Sequence, residues 1–214
     1  MKSAAALVYL VDDDDAVRDS LGMLLRSIGL ECEPYGSALE FLEHYDSGRH
    51  ACLVADIRMP GLSGLELQQR LNEQRAGIPV IFITGHGDVP MAVTAMKAGA
   101  ADFIQKPFRD QDLIDRIHKA LEHDRERRVG RAEEETIRER LALLTPREAE
   151  VMQRVVRGQA NKVIAMDLGV SQRTVELHRA RVMRKLKMRS LAELVHAVDR
   201  ISPVGAVSDT ATPQ

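Results

Sequence analysis

The sequence has no tryptophan, and only 3% of its residues are aromatic. Its core must therefore be built mainly from aliphatic side chains. It has two cysteines, Cys32 and Cys52, which form no metal-spaced pair. So small a count excludes a disulfide scaffold and fits a reducing cytosol, with both thiols acting as small hydrophobes. The seven histidines are scattered, and none stands at zinc-like spacing with another ligand. The longest clean apolar run, Ala4 to Val11, is too short to cross a bilayer. It has no cleavage-site pattern either, which argues against a signal peptide. There is no internal repeat.

What is present is length, charge and pattern. A chain of 214 residues makes one large domain or two small ones. The net charge of −2 hides a split. Thr145 to Arg200 holds twelve Lys/Arg against six Asp/Glu, a surplus of six cations that leaves −8 for the rest. An acidic part joined to a basic part points to two domains with different partners, the basic one being the nucleic-acid candidate.

Over roughly the first 120 residues, short apolar runs alternate with helix-period segments. The strand candidates are Leu7 to Val11, Glu31 to Tyr35, Cys52 to Asp56, Val80 to Thr84 and Ala101 to Ile104. The first, third and fourth are continuously apolar, as strands buried on both faces are. Strand and helix in alternation predict an α/β doubly wound sheet of five parallel strands. Pro34 assigns the second strand to an edge, as in the order 2-1-3-4-5. Ser37-x-x-Glu40 and Ser63-x-x-Glu66 read as capping boxes. Asp88, followed by Pro90, opens another helix that Gly99 closes. From Glu122 onward the chain becomes densely charged, which predicts a solvated helical linker over 122–142. The small, polar tail over 202–214 is expected to be disordered.

In a doubly wound sheet, ligands bind at the carboxyl ends of the strands, near the point where strand order reverses. Asp12 and Asp13 end the first strand, and Asp56 ends the third. Three converging carboxylates call for a hard divalent ion such as Mg²⁺ in an open, oxygen-only site. Thr84 ends the fourth strand and Lys106 follows the fifth. Carboxylates, a hydroxyl, an ammonium and a metal together make a phosphoryl site, with Asp56 as a possible nucleophile. Asp14 and Asp15 fall where the first helix begins, where carboxylates cap free N–H groups and meet the positive end of the helix dipole. Each residue alone reads as a turn or cap. Their joint occurrence at four strand ends carries the argument.

The segments VDDDD, LVADIRMPGLSGLEL and ITGHGDVPMAVTAMKAGAADFIQKPF resemble the receiver domain of two-component response regulators. The resemblance implies a receiver over 1–121 in which a sensor histidine kinase phosphorylates Asp56. It implies that Asp12, Asp13, Asp56 and the backbone carbonyl of Arg58 hold Mg²⁺ (or Mn²⁺). It makes Thr84 and Lys106 the groups that contact the phosphoryl oxygens, and Thr84 and Phe103 a switching pair. It further implies a cis bond between Lys106 and Pro107. This chain has Phe103 where many relatives have Tyr, so a hydroxyl-dependent part of that switch is missing. Asp13-x-Asp15-x-Val17 also fits a phosphatase motif with an Asp nucleophile. That reading expects further acidic ligands after the Thr and Lys, whereas Asp56 precedes both.

In the basic part, Thr145-Pro146-Arg147-Glu148 is a capping box with Pro at the first helical position. A second helix fits Lys162 to Leu168, Gly169-Val170 makes a tight turn, Ser171 caps a third helix to about Lys187, and Leu191 to Ile201 forms a fourth. This predicts an all-α, four-helix domain with a helix-turn-helix over 143–201. On the third helix, Val175, Val182 and Leu186 share an inward face. Arg173, Glu176, Leu177, Ala180, Arg181 and Arg184 share the opposite one, a mixture suited to phosphates and base edges. LTPREAEVMQRVVRGQANKVIAMDLGVSQRTVELHRARVMRKLKMRSLAELV resembles the LuxR/NarL-type DNA-binding domain, and the whole chain resembles FixJ-like response regulators. The resemblance implies a non-enzyme and an activator of transcription in the bacterial cytoplasm, with no membrane association. Its double-stranded DNA would be contacted by Lys162, Arg173, Thr174, Glu176, Leu177, Ala180, Arg181, Arg184 and Lys185. RNA polymerase would be a further partner, and a homodimer would form on phosphorylation, through about Val89 to Ile104 in the receiver and Leu191 to Ile201 on DNA. Relatives of NarL have Lys in place of Ala180, so an operator preference does not carry over. DNA binding that ignores phosphorylation is the remaining alternative.

Overall fold

The structure, a computed structural model, describes residues 6–85 and 89–201, with Val89 described by its backbone alone. The helix start expected at Asp88 and the tail over 202–214 lie outside the described residues. The chain forms two compact units, residues 1–128 and 129–214. Among the described residues no helix is long and apolar enough to cross a membrane.

In the first unit, the run LVYLV forms strand β1 (Leu7–Val11), buried along its whole length. Successive strand side chains point to opposite faces of a sheet. Leu7, Tyr9 and Val11 accordingly enter one core layer, and Val8 and Leu10 the other. Two-sided burial requires helices on both faces. Strands β2 (Glu31–Tyr35), β3 (Ala51–Asp56), β4 (Val80–Thr84) and β5 (Asp102–Gln105) alternate with helices α1 (Asp15–Ser27), α2 (Ala38–His44), α3 (Gly64–Glu73), α4 (Val89–Lys97) and α5 (Asp110–Ala142). Phe41, Leu67, Leu71 and Ala95 from α2, α3 and α4 cover one face. Leu21 and Leu25 of α1 and Leu113, Ile117 and Leu121 of α5 cover the other. All pairings are parallel, in the order β2-β1-β3-β4-β5. Pro34 thus lies on an edge strand, where a missing N–H is tolerated.

Of the expected capping boxes, Ser63–Glu66 is complete. At Ser37 only half forms. Its hydroxyl accepts the Glu40 N–H, but the Glu40 carboxylate turns to the N–H of Gly36 at 2.8 Å.

The segment 122–142 is helical but not wholly solvated. Asp124 has no exposure at all. Its Oδ2 lies 3.0 Å from His50 Nδ1 and accepts the Ala51 N–H at 3.2 Å. Arg127 and Arg128 donate to it at 2.6 Å each, and Arg128 also reaches the carbonyls of Ser47 and Gly48. Asp124 therefore ties α5 to the start of β3. Mixed charge suggested a solvated face, but i,i+3 and i,i+4 spacing to two arginines lets a carboxylate be buried in pairs.

The second unit contains α6 (Pro146–Val156), α7 (Asn161–Leu168), α8 (Gln172–Leu186) and α9 (Leu191–Ile201). Thr145 and Glu148 form the expected complete capping box. Helix α7 ends at Gly169 with φ of 64°, a left-handed cap that glycine adopts without a Cβ penalty. Val151, Val155, Ile164, Val175, Val182, Leu186 and Leu194 make an aliphatic core. Leu141 and Leu144, at the end of α5 and just beyond it, pack against that core.

Candidate functional sites

The first site is built by strand ends. β1 delivers Asp12 to the carboxyl edge with 1% exposure, and β3 delivers Asp56 beside it. These strands are neighbours whose onward helices, α1 and α3, pack on opposite faces of the sheet, which leaves a crevice between the loops. Lys106, just past β5, reaches both carboxylates. Its Nζ lies 3.2 Å from Asp12 Oδ2 and 3.0 Å from Asp56 Oδ2. Burial opposes the charge on Lys106, but the hydrogen bond and charge of Asp56, together with Asp12, outweigh it and raise its pKa. Burial pushes the Asp12 carboxyl upward, against the Asp14 N–H and Lys106. The remaining oxygens are also engaged. Asp12 Oδ1 accepts the Asp14 N–H, and Asp56 Oδ1 accepts the Arg58 N–H at 3.0 Å.

In the run of four aspartates, the last two lie where their position predicts. Asp14 is the N-cap of α1 and accepts from the N–H groups of Ala16 and Val17. Asp15, in the first turn, pairs with Arg18. Asp13 is exposed. Thr84 is buried at the end of β4, and Phe103, on β5, packs partly buried against the core layer that holds Phe82. The Lys106–Pro107 bond is cis.

Two contributors to this site are not apparent in the sequence. The Arg18 guanidinium donates to the Asp12 carbonyl and so holds the acidic loop from α1. Gly64 opens α3 directly behind Asp56, where a Cβ would stand 2.3 Å from the Asp56 carbonyl oxygen. An arginine six residues after an aspartate, or a glycine at a helix start, carries no signal until the loops are folded.

An oxygen-only donor set, with Asp12 and Asp56 sharing one cation, is chemically suited to Mg²⁺. Among the described residues no three His, Cys, Asp or Glu side chains form a cluster that could hold a metal ion. Asp12 and Asp56 are turned onto Lys106, and Asp13 is exposed.

The second site is the exposed face of α8. Val175, Val182 and Leu186 are buried, as the helical wheel requires. Arg173, Glu176, Leu177, Ala180, Arg181 and Arg184 are exposed together, and Lys162 is exposed on α7. Thr174 is half-buried next to the Ser171 cap, whose hydroxyl accepts its N–H. Lys185 differs from the rest. Its ammonium pairs with Glu148 and donates to the Leu143 carbonyl.

Comparison with known proteins assigns each of the two units to a family. Residues 8–118 match the family described as response regulator receiver domain, and residues 142–198 match the bacterial regulatory proteins of the luxR family. The chain is 48% identical over 210 residues to the transcriptional regulatory protein FixJ of Azorhizobium caulinodans, covering 96% of this chain and 97% of that one. It is 45% identical over 212 residues to nodulation protein W of Bradyrhizobium diazoefficiens, covering 99% of this chain and 92% of that one. Among solved structures, the response regulator StyR matches with a TM-score of 0.81 and 49% identity, over 92% of this chain and all of that chain. Full-length FixJ from B. japonicum matches with a TM-score of 0.57 and 41% identity, over 94% of this chain and all of that chain. The two domain types imply a histidine kinase and DNA as partners. The chain belongs to the response-regulator family, in the branch that joins a receiver to a LuxR-type DNA-binding domain, and is a phosphorylation-gated transcription regulator.

Proposed function

We propose that Asp56 is the phosphoacceptor. The observation that carries this reading is the single ammonium of Lys106 held between Asp56 and Asp12 at a strand-end crevice. A carboxylate oxygen of Asp56 attacks the phosphorus of the kinase's phosphohistidine, the P–N bond breaks, and an acyl phosphate forms on Asp56. Asp12, Asp13, Asp56 and the Arg58 carbonyl would hold Mg²⁺ or Mn²⁺. When bound, the ion neutralises charge on the carboxylate and the phosphoryl oxygens. Lys106 exchanges its bond to Asp56 for one to the phosphoryl group, and Thr84 turns its hydroxyl to another phosphoryl oxygen. Phe103, on the neighbouring strand, follows the movement of Thr84. The receiver's chemistry is confined to forming and losing its own acyl phosphate.

Phosphorylation then shifts an existing equilibrium toward a dimer-competent state. The dimer surfaces are about 89–104 in the receiver and 191–201 in the second unit. Lys162, Arg173, Arg181 and Arg184 meet DNA phosphates, while Thr174, Glu176, Leu177 and Ala180 meet base edges. Bound at its operator in the bacterial cytoplasm, the dimer activates transcription through RNA polymerase. The boundaries that go with this reading are a receiver over 1–121, a linker over 122–142 and a DNA-binding domain over 143–201.

The test is an Asp56→Asn protein treated with a small phosphodonor. Wild type should dimerise and gain DNA affinity, and the variant should do neither. A variant that still responds removes Asp56 as the switch.

A further inference from the structure

Inside the second unit, the C-terminal ends of α5 and α8 meet. A helix end leaves its last carbonyls without intrahelical partners and carries the negative end of the helix dipole. Two such ends side by side are unfavourable unless cations lie between them. Here each helix lends the other one. Arg140, on α5, donates from Nη1 to the carbonyl of Leu186, the last residue of α8, at 3.1 Å. Lys185, on α8, donates from Nζ to the carbonyl of Leu143, the first residue past α5, at 3.0 Å. α8 then stops at Lys187 in a left-handed conformation, whose N–H turns back to the carbonyls of Met183 and Arg184 and leaves that of Leu186 to Arg140.

A third element joins the same node. The Lys185 ammonium pairs with Glu148 Oε2 at 2.6 Å, and that oxygen also accepts the Thr145 N–H that opens α6. Glu148 is 3% exposed. One cation thus bridges a buried carboxylate, the end of α5 and its own helix.

We propose that Arg140 and Lys185 are positioning residues for DNA binding: they lock the end of α8 to the end of α5, so that the placement of α8 follows α5. This rests on the reading of α8 as the helix that meets DNA. It also takes Lys185 out of the set that touches phosphates, because its ammonium already holds a carboxylate and a carbonyl. The last turn of α5 becomes a working part of the DNA-binding unit rather than a spacer before it.

The test uses full-length protein treated with a small phosphodonor, and a duplex that wild type so treated has selected from a random-sequence pool. Arg140→Ala should lower affinity about tenfold, the scale of one charged hydrogen bond. The slope of log affinity against log salt should stay at the wild-type value, because no phosphate contact is lost. Arg140→Lys, which keeps a cation at the end of α8, should restore most of the affinity. Amide exchange at Met183 to Lys187 should quicken in Arg140→Ala, while Val151 to Val155 keep wild-type protection. Unchanged affinity in Arg140→Ala overturns the proposal. So does a slope smaller by about one, the mark of a direct phosphate contact. If Arg140→Ala does not fold, Arg140→Gln gives the same readouts with a neutral donor, and its affinity should fall several-fold below wild type with the salt slope unchanged. Amide exchange needs no DNA. A wild-type protein that selects no duplex therefore refutes the DNA reading, whereas unchanged exchange at the end of α8 refutes the node.

Discussion

Asp124→Asn keeps the volume of a fully buried side chain and removes its charge. In the wild type that carboxylate faces Arg127, Arg128, His50 and the N–H of Ala51. Removing one partner of a buried ion pair costs about 3–5 kcal/mol when the other charge stays buried. The side chains of Arg127 and Arg128 are 21% and 26% exposed, so both guanidiniums gain water once the carboxylate is gone. That places the expected loss at or just below the bottom of that range, about 2–3 kcal/mol at pH 7. The pH dependence has a definite sign. Burial pushes the Asp124 carboxyl up, but hydrogen bonds from Arg127, Arg128 and His50 outweigh it and hold the pKa below the ordinary value. A depressed native pKa gives stability that is fully present above the unfolded value of about 3.9 and is lost as pH falls through the native value. The advantage of wild type over Asp124→Asn should therefore be full at pH 7 and shrink below about pH 4. Urea unfolding of the full-length protein, with amide exchange along β3 reporting the first unit, measures both quantities. A loss under about 0.5 kcal/mol at pH 7, within the range of ordinary surface substitutions, would falsify the assignment. So would a gap that stays constant down to about pH 3.

Gly64→Ala drives a methyl to 2.3 Å from the Asp56 carbonyl oxygen, so the turn behind Asp56 must shift. The expected cost is about 2 kcal/mol, with slower phosphorylation by a small phosphodonor; an unchanged melting midpoint and rate would rule out that contact. Lys106→Met leaves Asp12 and Asp56 without their shared cation, so calorimetry should find Mg²⁺ bound several-fold more tightly. Weaker binding in that variant would mean that Lys106 helps to assemble the site rather than competing for it. Thr145→Ala removes the hydroxyl that accepts the Glu148 N–H and should cost the second unit about 1 kcal/mol in thermal unfolding. No change there would place the capping strength elsewhere in the box.

The sheet was legible in the sequence because two-sided burial leaves a pattern. LVYLV, CLVA and VIFIT are apolar without alternation, and Pro34 marks an edge. The carboxylates were legible because strand ends fix where Asp12 and Asp56 emerge, and topology then brings them together. What stayed hidden is the set of polar contacts that hold these parts in place. Asp124, Arg140 and Lys185 lie in charged stretches whose composition is that of solvated helix, and composition is silent on which face is turned inward. The hydrophobic period, the usual guide, fails along the later part of α5, where few apolar residues stand between the charges. Only folding reveals that Asp124 faces the start of β3 and that Arg140 faces a neighbouring helix end.

These hidden contacts share a logic with the visible site. In the crevice, one ammonium lies between two carboxylates carried by different strands. At the end of α8, one ammonium lies between a carboxylate of α6 and the carbonyl end of α5. At the start of β3, one carboxylate of α5 lies against the ring of His50 and the N–H of Ala51. In each case a single charge joins chain segments that are far apart in sequence, at positions where apolar packing alone would fix neither distance nor direction. A charged hydrogen bond is geometrically strict and is lost when its partner leaves. Elements joined in this way have discrete arrangements rather than continuous ones, which is what a phosphorylation-gated regulator requires. With Asp56 as the proposed phosphoacceptor, the phosphoryl group need only take Lys106 from Asp56 for one of these joints to open.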